Sequence, residues 1–109
     1  MMTIGEVEVN YDGKQLIGNV EVTAAKHDIR VLGITLILTP DAASPKIYAM
    51  AVASYPTGIS LPHSVATTTT ETPVSGTMQI AAQIICAYTQ AHDTALKTCQ
   101  DVRMFSVSG

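Results

Sequence analysis

From Glu6 onward, apolar and polar residues alternate: Val7, Val9 and Tyr11 against Glu6, Glu8 and Asn10. A period of two marks a strand with one face buried. Asp12-Gly13 follows, a pair that suits the positive φ of a type I′ turn. Leu16, Gly18, Val20 and Val22 then alternate with Ile17, Asn19, Glu21 and Thr23. Residues 3–24 therefore predict a β-hairpin. Beyond a polar connection at Ala24–Asp28, residues 29–39 are apolar on both sides. Leu32, Ile34, Leu36 and Leu38 fall on one face, and Ile29, Val31 and Ile37 on the other. This pattern suits a strand in the middle of a sheet. Pro40 to Pro45 reads as a turn.

Residues 46–55 predict a further strand, with Ile47, Tyr48, Met50 and Val52 interleaved with alanines at 49, 51 and 53. Small residues there permit close packing or leave a shallow surface, and Pro56-Thr-Gly58 is expected to break the strand. Ser64–Thr69 is compatible with a short strand. Thr70–Gly76 reads as an exposed loop, long enough in a small domain to suggest function or contact. Residues 77–90 fit two periods. Gln79 and Gln83 alternate with Ile80 and Ile84 as in a strand, while Met78, Ala81, Ala82, Ile85 and Tyr88 also form a helical stripe. The strand is favoured by its surroundings. Residues 93–104 predict a helix: Asp93 is placed as an N-cap, and Ala95, Leu96, Cys99 and Val102 follow at helical spacing. The expected fold is α+β, an antiparallel sheet of about six strands with an N-terminal hairpin and one C-terminal helix.

Charge changes this picture most. Between Ile47 and His92 the only formal charge is Glu71. Prolines, glutamines and four consecutive threonines interrupt that stretch, so it does not predict a membrane helix. A chain of 109 residues, taken as one domain spanning 1–109, cannot hide so long an uncharged segment within itself. Self-association is the first expectation. Charged residues make up 14% of the chain, against an ordinary ~25%. The net charge of −3 supplies no global basic field for nucleic acid. The start, Met1-Met2-Thr3, has no basic and apolar leader, and a soluble cytoplasmic product is expected. In that setting Cys86 and Cys99 are expected to be reduced thiols.

No motif for catalysis, a phosphate loop or a metal stands out, so no enzymatic activity, cofactor or small-molecule substrate is expected. His92-Asp93 is better read as a capped junction than as an acid–base pair, His27-Asp28 as a solvated turn, and His63 as a surface histidine. Both cysteines fall on apolar stripes and read as core residues. In an alternative all-β reading, residues 77–90 and 97–107 form a closing hairpin that a Cys86–Cys99 disulfide would suit. Closing a loop of about a dozen residues is worth roughly 3 kcal/mol in the chain-entropy model. One polar set remains. Thr35, Lys46, Tyr48, Gln79, Gln83 and Thr89 lie on expected strands and form either a solvated sheet face or a platform for single-stranded RNA, with stacking on Tyr48 and phosphate contact by Lys46.

The element order resembles the coat proteins of single-stranded RNA bacteriophages. Lys46–Pro56 looks like that family's strand ending in proline. Ser64–Gly76 looks like its strand and mobile loop at the symmetry axes, and Ile80–Thr89 followed by Asp93–Met104 looks like its last strand and helix. The resemblance implies an intertwined homodimer with a continuous sheet, assembled into an icosahedral virion in a bacterial cytoplasm. Genomic RNA would lie on the inner face. It also implies that Thr67, Thr68, Thr69, Thr70, Glu71, Thr72, Pro73, Val74 and Ser75 contact other subunits. A β-sandwich subunit of another assembly, such as a phage decoration or tail protein or a pilus subunit, is the alternative. A monomeric binding module or small enzyme is the third class.

Overall fold

A computed structural model describes residues 2–24, 29–40, 46–59, 61–69, 74, 76–90 and 93–108. Among the described residues seven strands run in order: β1 (Met2–Tyr11), β2 (Leu16–Ala24), β3 (Ile29–Thr39), β4 (Ala49–Ile59), β5 (His63–Thr68), β6 (Thr77–Gln90) and β7 (Asp93–Ser108). They form two antiparallel sheets, ordered β1-β2-β5 and β4-β3-β6-β7. The described residues contain no helix. The α+β expectation is thus corrected to an all-β sandwich of three plus four strands among the described residues.

The error lies in β7. Its inward positions, Lys97, Asp101 and Arg103 among them, mix charge with Cys99, Phe105 and Val107, which hides the alternation. Inward-pointing charge is a common device on edge strands, where it discourages edge-to-edge pairing. Asp93 does form the local bond of a cap, accepting from the Ala95 amide at 2.9 Å, and pairs with Lys97 at 3.1 Å. The chain nevertheless continues extended, because β6 supplies a full ladder of partners from Ser108 to Lys97.

The N-terminal hairpin forms as its alternation requires. Its loop is the four residues 12–15, not a two-residue type I′ turn: only Gly13 takes positive φ, at 95°. The Asp12 carboxylate closes the loop by accepting from the Lys14 and Gln15 amides at 2.9 and 2.7 Å. In β1 a bulge places Gly5 and Glu6 opposite Glu21, so both Ile4 and Val7 reach the core. A Cβ on Gly5 would lie 3.1 Å from the Glu21 carbonyl oxygen.

β3 sits centrally, as its two apolar faces predict, but its faces are not those of a regular strand. A bulge between Val31 and Gly33 switches sides at Leu32. Val31 therefore joins Ile34, Leu36 and Leu38 in the core, and Leu32 does not. The same irregularity explains β4. Pro56-Thr-Gly58 does not end the strand. It falls between the Ser54–Gly33 and Ile59–Val31 pairs, on an edge strand where proline forfeits no ladder bond.

Between the sheets lies one apolar layer. Val7, Val9, Leu16, Val20, Val22 and Val65 of the smaller sheet meet Val31, Ile34, Leu36, Leu38, Ile80, Ile84 and Cys86 of the larger. The sheets approach closely at Gly18, where an added Cβ would lie 3.0 Å from both terminal carbons of Leu38. Each open side is closed by a polar contact. On one, Arg103 of β7 donates to the Ile4 carbonyl at 3.0 Å and to that of Gly5, while its Nε is held by Asp101 at 2.8 Å. On the other, Tyr55 of β4 bonds His63 of β5 at 3.0 Å, the rings edge to face.

Candidate functional site

Strand alternation gives each sheet an outer face, and the two differ. On the three-stranded sheet the outward residues are Glu6, Glu8 and Asn10 of β1, Ile17, Asn19, Glu21 and Thr23 of β2, and Ser64, Ala66 and Thr68 of β5. This face is polar and acidic, with a shallow depression beside Ile17 and Thr68.

The four-stranded sheet turns outward a set of cross-strand rows. Ser54, Gly33, Ala87 and Thr98 form one; Val52, Thr35, Ile85 and Gln100 the next; then Met50, Ile37, Gln83 and Val102; in the last, Thr39, Ala81 and Met104, only Met104 is exposed and the other two are buried. None of these residues carries a charge. Five large side chains of these rows stand in solvent: Val52 is 67% exposed, Met50 53%, Met104 50%, Val102 47% and Ile85 37%. Arg30 lies at one end of the face, opposite Thr89. Two pairs of polar groups on the face are bonded to each other. The Gln83 amide donates to Thr39 Oγ1 at 3.3 Å, and that of Gln79 to Ser106 Oγ at 3.0 Å.

This arrangement brings together part of the expected RNA platform. Thr35, Gln79, Gln83 and Thr89 share the outer face, with Ala81 and Ala87 between them. Ala49, Ala51 and Ala53 turn instead toward the core. Lys46 and Tyr48 lie where β4 begins, with the Lys46 ammonium 5.3 Å from the Tyr48 ring centre.

The expected contact loop divides. Thr67 and Thr68 belong to β5, and Thr67 and Thr69 are buried. The Thr69 hydroxyl accepts from the Leu16 amide at 3.0 Å, and its own amide donates to the Leu16 carbonyl at 3.1 Å, extending the β2–β5 ladder. Val74 packs against the core. Thr70, Glu71, Thr72, Pro73 and Ser75 lie outside the described residues, as do His27, Asp28 and His92. The histidine read as a surface residue, His63, is half-buried against Tyr55.

The outer-face valines and methionines escape recognition as a site because each reads in sequence as an ordinary strand apolar. What could have found them is the alternation of β4: Met50 and Val52 fall out of phase with the alanines, which are small enough to face the core of an edge strand.

Among the described residues no group of three or more His, Cys, Asp and Glu side chains could hold a metal ion. No helix there is long and apolar enough to cross a membrane. The fold and face define a β-sandwich with one outer sheet whose cross-strand rows carry no charge and expose apolar side chains. No family model matches the chain, and no curated protein does. Among solved structures, β-glucosidase 3B from Thermotoga neapolitana, in complex with glucose, is similar at a TM-score of 0.39 and 11% identity. The match covers 96% of this chain and 16% of that one, and at this score it carries no argument about fold or activity.

Proposed function

We propose that the chain is a structural β-sandwich subunit that assembles with copies of itself through the outer face of β4-β3-β6-β7. The observation that carries this reading is a four-stranded face whose cross-strand rows carry no formal charge, with Arg30 standing at one end, and which exposes Met50, Val52, Val102 and Met104. Large exposed apolar patches on soluble proteins commonly mark interaction surfaces.

Size supports a second copy as the occupant. Four strands about 4.8 Å apart, over roughly eight residues at about 3.3 Å each, give a face of about 500 Å² in plan. That is more than half of the ~800 Å² per partner of a standard interface. The edges favour face-to-face over edge-to-edge contact. β4 carries Pro56 and a bulge, β7 turns charge inward, and β5 is only 6 residues long.

The cross-strand rows offer no cation to phosphate, and phosphate neutralisation is the main source of RNA affinity. The acidic opposite face repels it. A protein partner fits the chemistry better than RNA. This reading keeps the self-association expected from composition. It groups the chain with sandwich subunits of shells, tails or fibres, without the C-terminal helix that the RNA-phage coat resemblance implies. Sedimentation velocity of the purified chain from low to high micromolar concentration tests it. A dimer or larger species growing with concentration is expected; a single monomeric boundary throughout would overturn it.

A further inference from the structure

We propose that Cys86 and Cys99 form a cross-strand disulfide site that staples β7 to β6. The two residues are direct partners in an unbroken stretch of ladder running from Thr77–Ser108 to Tyr88–Lys97. Directly opposed residues of an antiparallel pair project to the same side of the sheet, with Cβ atoms about 4.5–5.5 Å apart. A disulfide requires about 3.5–4.5 Å, so the strands need move by only about an ångström. Cys86 is fully buried in the core, and Cys99 is half-buried on the edge strand. Burial and then the neighbouring Cys99 push the Cys86 thiol up to about 11, which is consistent with a close pair.

Their unequal access sets the order of events with a low-molecular-weight disulfide such as glutathione disulfide. The Cys99 thiolate attacks one sulfur of the oxidant and releases one glutathione thiolate, leaving a mixed disulfide on Cys99. Cys86 then loses its proton to solvent and attacks Cys99 Sγ. The mixed bond breaks, the second glutathione leaves as thiolate, and the protein pair is oxidised as the oxidant is reduced. The bond would fasten an edge strand whose inward face the smaller sheet only half covers. The inference stands on strand register and is independent of the assembly reading.

The test uses the whole chain equilibrated with glutathione disulfide, then denatured for thiol titration and intact mass. Loss of both thiols and of two hydrogens, with no added glutathione and no interchain link, is expected. So is a rise in melting temperature of about 10 °C that dithiothreitol reverses. Cys99→Ser should leave Cys86 as a thiol under the same oxidant. Retention of both thiols in wild type, glutathione persisting on Cys99, or a covalent dimer would each overturn the proposal.

Discussion

The two outer faces of this sandwich cover the same core and differ in what they ask of their surroundings. On the β1-β2-β5 side the outward positions carry Glu6, Glu8 and Glu21, which keep the sheet solvated. On the β4-β3-β6-β7 side the corresponding positions carry valine, isoleucine, methionine, threonine and glutamine. Both patterns alternate with the same period and fold equally well. Burial in the core therefore constrains only half of each strand, and the other half records what the face meets.

Breaking the core should affect stability without regard to face. Leu36 is fully buried on the inner side of β3, and its neighbour Ile37 lies on the outer side. Leu36→Ala is expected to cost about 3 kcal/mol in urea unfolding, whereas Ile37→Ala should cost well under half of that in a monomeric preparation. Equal losses would show that the outer face is itself packed within the monomer. Gly18→Ala is expected to cost about 1 kcal/mol, because Leu38, fully buried, has little freedom to yield to the new methyl group. A stabilised Gly18→Ala variant would mean that the sheets lie farther apart than described.

Arg103→Met should cost about 1 kcal/mol by releasing the Ile4 carbonyl from its bond across the open side. Hydrogen exchange should then quicken at the β1 end and not at β5. The smallest effect concerns acid. Backbone amides of Gln15 and Lys14 hold the Asp12 carboxyl below its usual 3.8, and those of Ala95 together with Lys97 do the same for Asp93. A lowered folded-state value means that the contribution is complete above pH 3.8 and is lost as pH falls through the folded value. Asp12→Asn should flatten the acid limb of stability slightly, measured by melting temperature between pH 5 and about 2. An unchanged limb would remove Asp12 as a contributor.

How far the sequence carries depends on what each residue's neighbours happen to be. The Val7–Tyr11 and Leu16–Val22 alternations place the hairpin because their inner positions are all apolar or glycine and their outer ones are mostly polar. β3 declares itself central by being apolar on both sides, yet its bulge at Leu32 leaves no local mark and reverses the face of Val31. β7 misleads because Asp101 and Arg103 occupy inner positions near an open side, where their charges reach each other and the β1 carbonyls. The uncharged stretch announces an unusual surface. It does not say which face, because Met50 and Ala49 are equally uncharged; their alternation separates them into two sets, and the pairing of β4 with β3 shows which set turns outward.

The contrast between the faces is tested most directly by adding the same charge to each. Val52→Lys with Val102→Lys places two cations on the four-stranded face, and Glu8→Lys with Glu21→Lys places two on the other. Sedimentation velocity at matched concentration, with circular dichroism to confirm folding, should show self-association weakened at least tenfold by the first pair and retained with the second. Association unaffected by Val52→Lys and Val102→Lys, or abolished only by the glutamate replacements, would contradict the account.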